Sequence, residues 1–229
     1  MAMKRVTEQL RSASKVIPTL AVYADRSRGA YLLMRERHRE ALPWLERCLE
    51  DESRLNFGWG RSHGVLARAY NELGRHEEAR AACDRVLQEF TSADLSFPGV
   101  TLLVETERIV AEAGLGAVDS ARERLERLFE LHRTNEGPLT LGELYETGLR
   151  VALFARHEAD ARAHCEGMAR WYGVTRIPSL VQHCAIAGAR TMAVLEGPPG
   201  TDPLLVPVEV EKDDAASHTT AVSARHSQH

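Results

Sequence analysis

Lysine is nearly missing from this chain: only Lys4, Lys15 and Lys212 occur, and every other basic side chain is arginine. The arginines are interleaved with Glu and Asp, and the formal net charge is -4. A dedicated nucleic-acid surface needs an uncompensated basic stripe, so no nucleic-acid partner is expected. Cysteine is scarce and scattered. Cys48, Cys83, Cys165 and Cys184 form no CxxC pair, which excludes a zinc ribbon and a redox dithiol motif. No apolar run of about 18 residues exists, so no membrane span is expected. Residues 1–11 lack the apolar stretch of an export signal, and the expectation is a cytoplasmic protein with reduced thiols. A phosphate-cradling glycine loop, an HExxH pair and catalytic-triad spacing are also missing, so neither an enzyme nor a bound cofactor or metal is expected.

What is present is helix-forming composition: Ala, Leu, Arg and Glu dominate the first two hundred residues, while aromatics make up only 6%. With 229 residues the chain suffices for one large domain or one elongated array.

One unit recurs along it. Its clearest copy is Leu66-Ala67-Arg68-Ala69-Tyr70-Asn71-Glu72-Leu73-Gly74-Arg75-His76-Glu77-Glu78-Ala79. Related stretches run through Gly29 to Leu45, Ala111 to Ala121 and Ala152 to Arg162. In each, a helix rich in small and apolar residues is followed by a tight polar turn, an acidic residue and an alanine that opens a second helix. From Ala41 to Ala79 is 38 residues, from Ala79 to Ala121 is 42, and from Ala121 to Ala161 is 40. Two helices joined by so short a turn approach closely, and alanine is the small residue the crossing needs. Gly74 and Gly116 stand where a first helix ends, a position that favours left-handed backbone. Glu77, Glu78, Asp119 and Glu158 stand in the first turn of a second helix, where the helix dipole favours negative charge.

The second unit, with Leu66, Ala67, Tyr70, Gly74, Ala79 and Val86, resembles the tetratricopeptide repeat (TPR) consensus, and the third resembles it well. The first lacks the aromatic equivalent to Tyr70, and the fourth has Arg156 where the turn glycine belongs. The resemblance spans residues 22–175. It implies an all-α, right-handed superhelical solenoid of antiparallel helix pairs, about four repeats with terminal helices at 6–15 and 178–195. The period exceeds the about 34 residues of a standard repeat, with the excess in longer helices and in the loops 51–58 and 91–98. In this it is similar to TPR-like arrays of bacterial signalling regulators. The implied organisation is a repeat domain over 1–196 and a disordered tail over 197–229.

A TPR-like groove implies a protein partner, held as a peptide or helix along the first helices of the pairs. The inward polar positions are Arg26, Arg61, Arg68, Asn71, Thr106, Glu107, Glu146 and Arg150. Arg and Asn there can hydrogen-bond a peptide backbone or an acidic side chain. The Lys/Asn clamp that some TPR domains close on a terminal carboxylate is not reproduced. Array ends can also stack, which allows a homodimer.

Other motifs carry less. His157 and His164 share a helix, but Cys165 beside them occupies a core register equivalent to Cys83. His76-Glu77 and His157-Glu158 fall at repeat turns. Cys184 follows His183, and adjacent helical residues diverge too far to form a nucleophilic pair. Phe57 and Trp59, in the run Phe57-Gly58-Trp59-Gly60, are expected to staple the first long loop onto the array. Val206, Val208 and Val210 alternate with polar residues as a strand would, within a segment expected to be an extended linker.

Overall fold

A computed structural model describes residues 2–51, 59–89, 98–132 and 137–208. The protein is all-α: among the described residues there are ten α-helices and no strand. They are α1 (Ala2–Ser14), α2 (Ala21–Leu33), α3 (His38–Asp51), α4 (Trp59–Asn71), α5 (His76–Glu89), α6 (Pro98–Gly114), α7 (Val118–Leu131), α8 (Pro138–Phe154), α9 (Glu158–Val174) and α10 (Pro178–Glu196). No helix is long and apolar enough to cross a membrane. The loops 52–58 and 90–97 and the side chain of Trp59 lie outside the described residues, and with them the expected aromatic staple.

The units read from the sequence correspond to α2–α3, α4–α5, α6–α7 and α8–α9, and one hydrogen-bond pattern closes all four turns. Glu36, Gly74, Gly116 and Arg156 take left-handed backbone, with φ of 57°, 70°, 88° and 51°. The amide of the following residue then reaches back across the turn. Arg37 donates to the Leu32 carbonyl at 3.0 Å, Arg75 to Tyr70 at 2.9 Å, Ala117 to Glu112 at 2.9 Å and His157 to Ala152 at 3.0 Å. That bond satisfies a carbonyl the helix end would leave unpaired. The amides of Ala41, Ala79, Ala121 and Ala161 begin the second helices by donating to Arg37, Arg75, Ala117 and His157.

Left-handed backbone costs a non-glycine residue about 1–2 kcal/mol, and Arg156 has compensating bonds. Its guanidinium donates to the carbonyls of Leu195 at 3.5 Å, Gly197 at 2.6 Å and Pro198 at 3.2 Å. The departure from turn glycine in the fourth unit thus ties α9's entry to the end of α10.

Packing follows the units. Ala41, Ala79, Ala121 and Ala161 are fully buried, and each lies in a separate apolar cluster. Ala79, Cys83 and Val86 of α5 pack with Ala67 of α4 and with Val104 and Ala111 of α6. Ala121, Leu125 and Leu128 of α7 pack with Ile109 of α6 and Leu144 and Val151 of α8. Ala161, Met168 and Tyr172 of α9 pack with Leu149 and Leu153 of α8 and Val194 of α10. Each cluster therefore joins one unit to the first helix of the next.

At the α8–α9 crossing even alanine is too large. A Cβ on Gly148 would land inside the His164 ring, which is wedged beside Phe129 and Tyr145. Gly148→Ala is expected to destabilise by about 1–3 kcal/mol through overpacking. A urea midpoint equal to wild type would contradict that close approach.

The expected disordered tail is ordered at its start. Residues 197–208 pack on the helical body: Pro203 and Leu204 are buried in a single 3-10 turn, Pro203–Leu205. The cause is local. The Asp202 side chain accepts from the Leu204 amide at 2.9 Å, which turns the Pro-Leu pair inward, and beyond it Val206 joins the α8–α9–α10 cluster. Where strand-like alternation was expected to begin, Leu204 and Leu205 belong to this turn and Val206 ends it. Residues 209–229, with the rest of the expected tail, lie outside the described residues.

Candidate functional site

Five elements bring charged side chains together. The helix α4 supplies Arg68 and Asn71 near its C-terminal end, and Glu72 follows directly after it. From α6 comes Glu107. The spacing of Glu143, Glu146 and Arg150 at three and four residues puts all three on one face of α8. His183 and Arg190, seven apart on α10, do the same there. The α2–α3 turn adds Glu36, and the start of α3 adds His38.

Glu107 is at the centre and fully buried. Its carboxylate accepts from Arg150 Nη1 at 2.8 Å and from Asn71 Nδ2 at 2.9 Å, and its backbone carbonyl accepts from the same Asn71 nitrogen at 2.9 Å. Arg150 Nη2 lies 3.1 Å from Glu72, whose other oxygen pairs with Arg190 Nη1 at 3.1 Å. Arg190 Nη2 continues to Glu36 at 3.0 Å, joining the last helix to the first unit across 154 residues. On the other side, Arg68 pairs with Glu146 and lies 3.7 Å from Glu143 and 3.8 Å from Glu107. Tyr172 Oη donates to Glu146 at 3.0 Å, and His183 Nε2 lies 3.0 Å from the other oxygen of Glu146.

The electrostatics reflect this wiring. Burial by itself would raise the carboxyl pKa of Glu72. Arg150, Arg190 and Arg68 outweigh that and hold it at about 2. Burial opposes the Arg150 charge as well, yet Glu107 and Glu72 raise its pKa on balance. The imidazole of His183 goes down to about 4, through burial and then the Arg68 charge. Burial also lowers His38, against the pull of Glu72 and Glu36. A neutral His183 donates its Nε2 hydrogen to Glu146. The network then holds the five carboxylates of Glu36, Glu72, Glu107, Glu143 and Glu146 against three guanidinium groups.

The residues expected to line an open groove are placed unevenly. Arg68, Asn71, Glu107, Glu146 and Arg150 do converge, but on one another. Asn71, Glu107, Glu146 and Arg150 are buried, and Arg68 retains 22% side-chain exposure. Thr106 is buried and donates to the Leu103 carbonyl of its own helix at 3.1 Å. Arg26 lies 3.4 Å from Ser62 Oγ and packs over the Tyr23 ring. Arg61 is exposed at the start of α4. The reason is that α10, the expected terminal helix, turns its own His183 and Arg190 into this space. Glu36, His38, Glu72, Glu143, Tyr172, His183 and Arg190 were missed. The seven-residue spacing of His183 and Arg190 matches that of Arg61 and Arg68 and of Glu143 and Arg150, and was the signal available for them.

Among the described residues no group of three metal-binding side chains occurs. His157 caps α9, accepting from the Asp160 amide at 3.3 Å. None of Cys48, Cys83, Cys165 and Cys184 forms a disulfide, and burial raises the Cys83 thiol well above its ordinary range. A shallow cavity of about 270 Å³ opens beside Arg108, Arg124 and Leu128, and one of about 220 Å³ beneath residues 197–207. None of their lining residues belongs to the network.

No family model, curated protein or solved structure matches the chain. The fold and the network define a class by themselves: an all-helical, repeat-like protein whose facing helices are joined by buried ion pairs.

Proposed function

We propose that the chain is a protein-interaction module: a right-handed superhelical solenoid of antiparallel TPR-like pairs that holds a peptide or helix of a partner along its inner face. The observation that supports this reading is the composition of that face. Helices are held together more effectively by apolar side chains than by buried ion pairs, whose desolvation offsets much of their attraction. The charged side chains that stay accessible at the rim of that face, exposed Arg61 with Arg68 and Glu143 at 22% and 20% side-chain exposure, are suited to polar recognition instead. Its carboxylate excess favours a partner segment carrying Lys or Arg. Glu143 and Glu36, with side chains 20% and 37% exposed, are the acids such a segment reaches first.

The test is affinity capture with wild type beside a Glu36→Gln/Glu143→Gln variant, which leaves the buried Glu107–Arg150 pair in place. Wild type is expected to recover one stoichiometric partner, and the variant about tenfold less, the scale of losing one or two charged contacts. Equal capture by both rejects the inner face as the binding surface. Turnover of a small molecule by the pure protein would reject the non-enzymatic reading.

A second reading draws on the repeat period of 38 to 42 residues. It makes the chain a regulatory or sensor domain of a bacterial signal-transduction or transcription-regulatory system, working in the cytoplasm. A kinase, ATPase or DNA-binding domain encoded beside it would favour this reading. Self-association through the array ends belongs to either reading. Val16 and Ile17 at one end and Val181 and Met192 at the other are exposed, and light scattering of the pure protein distinguishes monomer from dimer.

A further inference from the structure

Residues 197–208 return from α10 to the α4–α5 turn, and one side chain of the body meets them there. His76, buried at the start of α5, has an acceptor at each ring nitrogen. Its Nδ1 is 3.0 Å from Asn71 Oδ1, and its Nε2 is 2.7 Å from Asp202 Oδ2. The orientation of the Asn71 amide is settled by its other end. Nδ2 faces two acceptors on Glu107, the backbone carbonyl and a carboxylate oxygen, so Oδ1 must be the atom facing His76. Asp202 is equally constrained, because its Oδ1 accepts from the Leu204 amide. The ring cannot turn away. It packs edge-on against Phe154 at 5.3 Å, and it fills the space that a Cβ on Gly114 would need.

A neutral imidazole carries one N–H, and the imidazolium carries two. Only the doubly protonated ring satisfies both contacts. The neutral ring leaves a lone pair facing either Asn71 or the Asp202 carboxylate. We infer that residues 197–208 form a proton-dependent strap, docked while His76 carries both ring protons and released when it loses one.

Of the groups facing the ring, Asn71 from α4, Gly114 from α6, Phe154 from α8 and Asp202 from the strap, only Asp202 is charged. Glu72, next to Asn71 in sequence, is engaged by Arg150 and Arg190. Docking therefore favours the protonated ring, and it weakens as pH rises. Burial lowers the imidazole pKa of His38, His63, His164 and His183, and none of these rings contacts the strap. Release also reaches inward. Asn71 bonds both His76 and Glu107, so the strap and the charged network share one amide. The strap's dependence on His76 holds whatever the network binds.

Hydrogen–deuterium exchange of the full-length chain tests this at the Leu204 and Leu205 amides, which bond to Asp202. After correction for intrinsic exchange, wild-type protection is expected to fall as pH rises, by at most about tenfold per pH unit, the slope of a one-proton linkage. Asp202→Asn keeps the Leu204 contact through its carbonyl and offers its NH₂ to the neutral ring, so its protection is expected to be independent of pH. A flat wild-type profile, or an Asn variant as pH-dependent as wild type, would overturn the inference. Should the variant fold poorly, nitrogen-15 NMR of wild-type His76 decides the question. Two ring N–H signals are expected with the strap protected, and a single one with equal protection overturns it.

Discussion

Replacing Arg150 with Met lowers the unfolding free energy by about 3–5 kcal/mol and the melting temperature by roughly 10 °C. The size comes from what remains behind. Arg150 is 6% exposed and pairs with both Glu72 and Glu107. Glu107, completely buried, loses its shortest ion pair and is left with Asn71 and the more distant Arg68. A buried charge without its partner keeps its desolvation penalty, and that penalty dominates the effect. The double variant Arg150→Met/Glu107→Leu removes both charges at once and is expected to regain at least about half of the loss. Urea unfolding of wild type, both single variants and the double variant closes the cycle. A double variant no more stable than Arg150→Met would show that the pair is not coupled. The network also joins α4, α6 and α8 to α10, which otherwise packs chiefly on α9. A shallower unfolding transition is therefore expected beside the lower midpoint, because repeat-like chains depend on interfaces between units for cooperativity.

Acid is expected to destabilise the chain by about 3 kcal/mol through Glu72 alone. The folded protein holds this carboxyl at about 2, against an ordinary value of 4.5. A depressed carboxyl pKa contributes stability that is fully present above the unfolded value, and that stability is lost as pH falls through the folded one. The window therefore runs from about pH 4.5 down to about pH 2. Protonating Glu72 also weakens its hold on Arg190, so α10 is expected to loosen from the first unit within the same window. Glu72→Gln should flatten the stability profile there by about 2–3 kcal/mol. Unfolding midpoints from about pH 5 to pH 2.5 measure it. Parallel profiles for wild type and Glu72→Gln would remove Glu72 from the account.

Much of the local structure was legible in residue spacing. The alanines at 41, 79, 121 and 161 mark buried crossings, and the turn residues at 36, 74, 116 and 156 repeat the same separations with the same backbone twist. Gly74 and Gly116 announced that twist through their chemistry, whereas Arg156 and Glu36 did not. A left-handed arginine becomes understandable only beside the carbonyls of Leu195, Gly197 and Pro198 that it binds. The inner positions Arg68, Asn71, Glu107, Glu146 and Arg150 were found by counting along helices. Their partners were not, since counting says which way a residue faces within its helix and nothing about what stands opposite.

The sequence by itself determined the helices, their turns and the small residues at their crossings. These depend on interactions a few residues apart, within one unit of about 40 residues. Only the tertiary structure decided that the inner polar residues bind one another, that α10 contributes Arg190 and His183 to them, and that residues 197–208 return to His76. The contacts responsible span 154 residues from Glu36 to Arg190 and 126 from His76 to Asp202. Such contacts depend on the summed packing angles of all the helices between, which no local pattern encodes.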